Sequence, residues 1–311
     1  MKKLSNKYPT INDYTGQVPH PRRMEGGRRL ITDYQKKSSP DRPLVSIITI
    51  VYNGEKHLET AIQSVLNQSY KNIEYLIIDG QSTDRTIEII KKYEAALDYW
   101  LSEPDRGISD AFNKGIAKAS GDIIGLLNAD DWLSLNQIEM GVEGLKEQSI
   151  DFIYGNLAFH DDEKIQKFII KGDPEYRRII ESRMPDLCHP TVLVKRRAYQ
   201  RVGLFRVDFH YAMDYEWLLR FHQMGGQGKY LPEILGHMQL SGRSDQSFGA
   251  ALKEVRTAAI LHGQSCWLAH LLFLYRVIKG KIRRQLEKRG MIKLLNWLWK
   301  KVNRNYLPTE L

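Results

Sequence analysis

The hydrophobic pattern in the first half of the chain alternates between two periods. Continuous apolar runs rich in β-branched residues are typical of strands that are covered on both faces, and they occur at 44–51, 73–78, 99–102 and 122–127. Apolar residues at helical spacing fill the segments that follow these runs, at 55–68, 84–97, 108–119 and 135–148. Strands that alternate with helices of this length predict an α/β fold with a mostly parallel sheet flanked by helices.

After residue 150 the pattern becomes less regular. Short strands are predicted at 152–154, 157–160, 167–170, 192–194 and 230–236, with a turn at 160–163 and a helix over 214–224. The chain thus divides into a large central domain and two basic ends. Its parts are an irregular arm (1–43), a central domain (44–249, with halves 44–131 and 132–249) and a helical tail (250–311).

Charge is distributed unevenly along the 311 residues, whose net charge is +9. Residues 250–311 carry 13 Lys and Arg against 3 Asp and Glu, and residues 1–43 carry 10 against 4, so the centre is acidic. An acidic centre disfavours nucleic acid as its partner, whereas the basic ends suggest contact with an anionic lipid surface. We find no signal peptide and no apolar run of about 20 residues that could span a bilayer. We therefore expect a cytoplasmic protein that associates peripherally with the inner face of the membrane.

Polar clusters follow three of the predicted strands, at 52–53, 79–84 and 128–131. The carboxyl ends of parallel strands line one crevice, so these clusters are expected to converge. The adjacent carboxylates Asp130 and Asp131 repel each other unless a cation lies between them, although a solvated helix cap is an alternative. No glycine-rich phosphate loop is present, so a phosphorylated ligand would need a metal held by this acidic pair.

These motifs resemble the inverting, GT-A-fold glycosyltransferases of family 2, in residues 45–53, 79–84 and 128–131. Residues 102–115 resemble the branch of that family that builds bacterial O-antigen and capsule polysaccharides. The resemblance covers about residues 43–245. It implies a GT-A-like fold, a nucleotide-sugar donor that is UDP-linked by family habit, and Mg²⁺ or Mn²⁺ as cofactor. It also implies a polyprenyl-diphosphate-linked saccharide as acceptor.

The resemblance assigns the donor nucleotide to residues at the three strand ends and in the 102–115 segment: Val51, Tyr52, Asn53, Asp79, Gly107, Asn113, Asn128 and Asp130. By this resemblance Asp79 contacts the base, Asp130 contacts the ribose, and Asp131 together with Asp130 holds the metal on the diphosphate. Position 128 is Asn where many relatives have Asp, so it can hydrogen-bond the ribose but adds no charge.

The second half supplies a candidate base, because Asp214 opens a predicted helix and matches the family's catalytic carboxylate. It would take a proton from the acceptor hydroxyl. An N-cap role is compatible with this, and the helix dipole would then lower its pKa. Glu216 is the lesser candidate. By resemblance His189 and Arg243 lie near the acceptor and the diphosphate, although a structural role for His189 remains open.

The tail contains a helical apolar stripe edged by tryptophans, formed by Met291, Leu294, Leu295, Leu298 and Val302 with Trp297 and Trp299 beside it. Such a stripe in a basic segment suits a helix that lies in a membrane interface. The alternative is packing on the catalytic domain or on a second subunit. The sequence thus predicts a non-processive, inverting glycosyltransferase of cell-surface polysaccharide synthesis. Its rival is a sugar-nucleotide-binding scaffold at the membrane without transferase activity.

Overall fold

A computed structural model describes residues 8–15, 19–31, 36–181, 183–240, 248–288 and 306–308. In these residues the strands are β1 Met24–Gly26, β2 Val45–Val51, β3 Ile73–Asp79, β4 Tyr99–Ser102, β5 Ile123–Asn128, β6 Trp132–Leu133, β7 Phe152–His160, β8 Gln166–Ile170, β9 Leu193–Lys195, β10 Gly228–Gln239 and β11 Tyr306–Pro308. The helices are α1 Asn12–Thr15, α2 Arg28–Ile31, α3 Leu58–Leu66, α4 Thr86–Lys92, α5 Ile108–Lys118, α6 Gln137–Gly144, α7 Tyr176–Ile179, α8 Arg196–Val202, α9 Met213–Gln223, α10 Phe248–Leu261 and α11 Cys266–Lys288.

The strands join into one mixed sheet in the order β1-β4-β3-β2-β5-β9-β7-β10-β6, with β8 on β7 and β11 on β8. Strands β4, β3, β2 and β5 are parallel, as the alternating pattern predicts. The register pairs Val51 with Asp79 and Ile50 with Asn128, so the polar ends of three strands lie side by side.

Each face of the central strands is covered by its own hydrophobic cluster. Ile48 and Ile50 of β2 belong to one cluster with Phe112 of α5, whereas Ile47 belongs to the other with Ile62 of α3. Side chains alternate across a strand, so a continuous apolar run serves both clusters. A few polar side chains within these strands, such as Ser46 and Thr49 of β2, are fully buried, whereas the polar clusters lie at the strand ends.

The less regular second half differs from its prediction in length and continuity. Residues 152–160 form one strand rather than two short ones, and β10 extends over twelve residues, Gly228–Gln239. Strand β10 runs parallel to β7 and also pairs with β6, the short strand that follows the acidic pair. Helix α6 is shorter than the predicted 135–148. Long-range pairing between β7 and β10 decides the lengths of these two strands, and such pairing leaves no local signal in the sequence.

The prediction of an irregular basic arm is wrong for part of residues 1–43. Strand β1 pairs antiparallel with β4 at the edge of the sheet, and α2 follows it. Arg28 and Lys36 reach Asp98 at 2.9 and 2.8 Å, and Arg29 contacts Glu74. Several of the arm's cations thus neutralise buried carboxylates of the central domain rather than facing an external anion.

The start of the tail belongs to the same packed body. Ala258 of α10 lies in the core beside α9, and His262 contacts Glu216 at 3.0 Å. The predicted stripe at 291–302 lies outside the described residues, so its role stays a prediction. Among the helices that the structure describes, none is both long and apolar enough to cross a bilayer.

Candidate active site

Two loops at the polar strand ends are held together by a set of short hydrogen bonds. Asn53 has φ 53°, a left-handed conformation that Asn tolerates, and its Oδ1 accepts a bond from the Thr83 amide at 2.8 Å. The Asn53 amide donates to Ser82 Oγ at 2.8 Å. This arrangement leaves the ring of the neighbouring Tyr52 48% exposed beside the crevice, where it can stack on a planar ligand.

Asp79, at the end of β3, is fully buried and fixes the 79–84 loop through hydrogen bonds to Ser82. Its Oδ2 accepts bonds from the Ser82 amide at 3.0 Å and from Ser102 Oγ at 2.6 Å, and its Oδ1 accepts one from Ser82 Oγ. Both carboxylate oxygens are thus engaged within the protein. In this state Asp79 positions the 79–84 loop, and a direct contact with a base would require Ser82 to give up a bond.

Asp105 also lies in the crevice, beside Gly80 and Tyr52, and no role was assigned to it from the sequence. Its carboxylate comes so close to Gly80 that a side chain at position 80 would clash with it. The Gly107 amide donates to Asp105 at 2.8 Å, and burial raises the pKa of the Asp105 carboxyl. Gly107 has φ 104°, a conformation that favours glycine, so the turn that aims Asp105 depends on it. The only sequence signal was its place within the 102–115 motif.

Asn113 is buried on α5 and takes a different place from the one that the resemblance implies. Its amide nitrogen donates to the Phe205 carbonyl at 2.8 Å, and its Oδ1 accepts from the Phe205 amide at 2.9 Å. Tyr14 Oη lies 3.2 Å from the same nitrogen. Asn113 therefore clamps the segment before α9 to the first half of the domain, and its polar atoms are engaged there.

Asn128 connects the acidic pair to His189. Its Nδ2 lies 3.1 Å from Asp131 Oδ2 and 3.0 Å from His189 Nε2. One amide hydrogen serves each neighbour, so Nε2 of His189 is the acceptor and the ring proton is on Nδ1. Burial lowers the pKa of His189 to about 4, which agrees with a neutral ring. An Asp at position 128 would supply neither hydrogen.

The acidic pair is asymmetric, since Asp130 is half-buried whereas Asp131 is 1% exposed. Burial raises the pKa of Asp131 well above its usual range, and the charge of Asp130 raises it further. A divalent cation would relieve both effects. The described residues contain no group of three or more His, Cys, Asp or Glu side chains that could hold a metal ion. Two carboxylates are nevertheless enough for the usual coordination of Mg²⁺, which takes its other ligands from water and substrate phosphate.

Asp214 is the second residue of α9, and its environment differs from the prediction. Its Oδ1 accepts from the Tyr215 amide at 2.7 Å, so it is not an N-cap residue. Burial raises its pKa to about 6, where the helix dipole alone was expected to lower it. Desolvation of the carboxylate outweighs the hydrogen bonds and the dipole because apolar side chains surround the group.

Glu254 of α10 supplies the cap that Asp214 does not. Its carboxylate accepts bonds from three successive amides before α9, those of His210, Tyr211 and Ala212, at 2.7–3.0 Å. Its charge also raises the pKa of Asp214. No sequence pattern connects residue 254 with the site, because this residue falls in the segment that was assigned to the tail.

A cavity of about 60 Å³ brings the two halves of the site together. Asp214 and His189 both line it, and the rest of its wall is mostly apolar and aromatic, with Phe205 and Trp217 on one side. Glu216 points away, into an ion pair with Arg220 at 2.9 Å, as expected for the lesser candidate. Arg243 lies outside the described residues.

The profile of glycosyl transferase family 2 matches residues 46–203, about half of the chain. An uncharacterized glycosyltransferase of Haemophilus influenzae is 34% identical over 161 residues, which is 50% of this chain and 64% of that protein. The Escherichia coli enzyme UDP-Glc:alpha-D-GlcNAc-diphosphoundecaprenol beta-1,3-glucosyltransferase WfgD is 31% identical over 46% of this chain and 57% of its own length. The chain thus spans less than two thirds of either relative.

Among solved structures, the mannosyltransferase PcManGT of Pyrobaculum calidifontis, in complex with GDP-Man and Mn²⁺, superimposes with a TM-score of 0.58. The match covers 86% of this chain and 85% of that one at 17% identity, which establishes the fold alone. The predicted GT-A-like α/β fold is confirmed.

Proposed function

The chain belongs to glycosyl transferase family 2, and from this premise we propose that it transfers one sugar from a UDP-sugar to a hydroxyl of a polyprenyl-diphosphate-linked saccharide, with inversion. The observation that carries the proposal is the cavity shared by Asp214 and His189, since His189 bonds to the Asn128 that also contacts Asp131. A candidate base and a candidate diphosphate site are thereby joined through two side chains. The synthesis of a cell-surface polysaccharide follows from this acceptor class.

The donor would lie along the three strand ends. The exposed Tyr52 ring and the raised-pKa carboxyl of Asp105 flank the place of the base, while Asp130 is left to bond the ribose. Asp131 and Asp130 would hold Mg²⁺ or Mn²⁺ on the diphosphate. When bound, the metal offsets the negative charge that develops on the departing nucleotide. Asn128 orients Asp131 without adding a third charge.

The acceptor would approach from the side of Asp214. A carboxyl whose pKa is about 6 is largely ionised at neutral pH and still basic enough to remove a hydroxyl proton as the oxygen attacks C1. Attack from the face opposite the nucleotide inverts the anomeric carbon. The apolar cavity around Asp214 excludes water, which limits hydrolysis of the donor.

This function is tested by incubating the purified full chain with a panel of UDP-sugars, Mn²⁺ and polyprenyl-diphosphate-linked N-acetylglucosamine. We expect UDP release that depends on the acceptor, and a product whose new linkage has the inverted configuration. The control is Glu88→Gln, a carboxylate on α4 away from the crevice, which should leave turnover unchanged. Nucleotide binding without sugar transfer to any lipid-linked acceptor would contradict the proposal and favour a scaffold.

Membrane association is a separate part of the proposal and rests on α11. One side of this helix bears large apolar side chains that are 44–79% exposed: Trp267, Leu268, Leu271, Leu274, Tyr275, Ile278 and Ile282. The opposite side, with Ala269, packs against α10. Residues 276–288 carry six Lys or Arg and one Glu. An apolar stripe beside a basic segment suits the interface of an anionic membrane on its cytoplasmic side.

Flotation with vesicles of phosphatidylglycerol and phosphatidylcholine tests this association. We expect the full chain to float at low salt and less so at high salt, and the triple variant Trp267→Glu, Leu271→Glu, Ile278→Glu to remain in the soluble fraction. The matched control is Leu30→Glu, Ile31→Glu, Ile165→Glu, three apolar residues exposed elsewhere. Substitution is preferable to deleting residues 280–311, because that deletion would remove β11 from β8. Equal flotation of both triple variants would refute the assignment.

A further inference from the structure

A second pocket, of about 580 Å³, lies at the edge of the sheet opposite the polar strand ends. Strand β5 runs from Ile123 at this pocket to Asn128 at the acidic pair, so the two places are separated by the length of that strand, roughly 17 Å. The pocket walls come from the segment before β2, the end of α6 and the start of α8. Its volume is within the range of small-molecule sites.

The charges that line this pocket are mostly positive. Lys146, Lys195, Arg196 and Arg197 contribute four cations, and Asp122 contributes the single carboxylate. Three of these cations already have partners. The Lys195 ammonium donates to the Glu147 carbonyl at 2.9 Å, Arg197 is paired with Asp151 at 3.0 Å, and Lys146 is paired with Glu143 at 2.5 Å.

Arg196 differs from the other three. Within the described ranges its guanidinium makes no hydrogen bond and no ion pair, and its Nε is shielded from solvent without a partner. An unpaired, half-buried guanidinium loses hydration without compensation. A planar donor set of this kind binds the oxygens of phosphate in a bidentate manner.

The surroundings of Lys195 indicate the same ligand chemistry. Burial lowers the pKa of Lys195 and the positive charge of Arg197 lowers it further, and these effects outweigh the opposite effect of Asp151 and Glu147. An anion placed between these groups would relieve the repulsion between them. The rest of the pocket wall is uncharged: Val142 of α6, Leu145 just after it, Ile123 and the prolines before β2 are apolar, and serine and glutamine side chains complete the lining.

We propose that this pocket binds a small phosphorylated molecule, whose phosphate or diphosphate is held by Lys195 and Arg196 and whose compact body lies against Val142 and Leu145. The site is separate from the donor crevice and has no part in the proposed transfer chemistry. A free metabolite and a lipid headgroup both present this phosphate chemistry.

Calorimetry with inorganic pyrophosphate and the full chain in EDTA tests the site, because chelation removes the metal that the donor crevice would need. We expect Lys195→Gln, Arg196→Gln to raise the Kd at least about tenfold, the usual scale for charge-assisted bonds to phosphate. The matched control is Lys71→Gln, Lys91→Gln, which removes the same charge elsewhere and should leave the Kd unchanged.

Asp122→Asn provides the opposite expectation, because removing the single carboxylate should tighten pyrophosphate binding by about two- to threefold. Loss of folding cannot produce a gain in affinity. Competition by uridine monophosphate indicates a free metabolite, whereas sedimentation with phosphatidic acid vesicles that Lys195→Gln, Arg196→Gln abolishes indicates a lipid headgroup. Either result supports the site. Equal pyrophosphate affinity in the wild type and in Lys195→Gln, Arg196→Gln would overturn it.

Discussion

Replacing Asp214 by Asn should make the protein less active and more stable at the same time. The side chain keeps its shape and can still accept the bond from the Tyr215 amide, whose length is 2.7 Å. Its loss as a base should lower turnover by about 10²–10⁴-fold. Affinity for UDP should change little, because the proposed donor contacts lie at the strand ends and not on α9.

The gain in stability follows from the cost of a buried charge. Burial raises the pKa of Asp214 from 3.8 to about 6. Because the folded-state pKa lies above the unfolded value, stability is full below pH 4 and is lost as pH rises through 6. A shift of about two units corresponds to a penalty of about 3 kcal/mol at neutral pH. Asp214→Asn never carries this charge and avoids the penalty.

The measurement is the free energy of unfolding in urea for the wild type and Asp214→Asn at pH 5 and pH 8. The variant should be more stable by about 3 kcal/mol at pH 8, with a smaller difference at pH 5. The wild-type turnover number should rise as pH increases through about 6, because the base must lose its proton. A difference in stability that does not depend on pH would refute the assignment of the raised pKa to Asp214. Wild-type turnover in the variant would move the base elsewhere.

Three further predictions concern the acidic pair, the cap of α9 and the N-terminal arm. Asp131→Asn should abolish Mn²⁺-dependent binding of UDP in calorimetry while the circular dichroism spectrum stays unchanged; unaltered affinity would disprove the metal assignment. Glu254→Gln should shift the acid limb of the pH–turnover profile below that of the wild type, because the charge of Glu254 raises the pKa of Asp214; an unmoved limb would contradict the coupling. Asp98→Ala should lower the free energy of unfolding by about 2–3 kcal/mol, because it removes the buried carboxylate that Arg28 and Lys36 both contact; a loss under 0.5 kcal/mol would show that the arm's ion pairs do not stabilise the fold.

The first half of the fold could be predicted from the sequence because its interactions follow a local pattern. Continuous β-branched runs and intervening helical stripes are enough to place β2, β3 and β5 in a parallel sheet. The polar residues that end these strands, Asn53, Asp79 and Asn128, are then brought to one edge by the topology alone. The order of the motifs also sufficed to recognise the family.

Contacts between distant segments decided the rest. The bond between Asn128 and His189 joins residues 61 positions apart, and Glu254 reaches the amides before α9 from a segment assigned to the tail. The pKa of Asp214 was predicted in the wrong direction because a helix dipole can be read from sequence, whereas desolvation depends on which side chains surround the carboxylate. The sequence by itself thus determined that the central strands of the sheet are parallel and that polar residues lie together at one edge of that sheet. Only the tertiary structure fixed burial, and burial sets the protonation of the site.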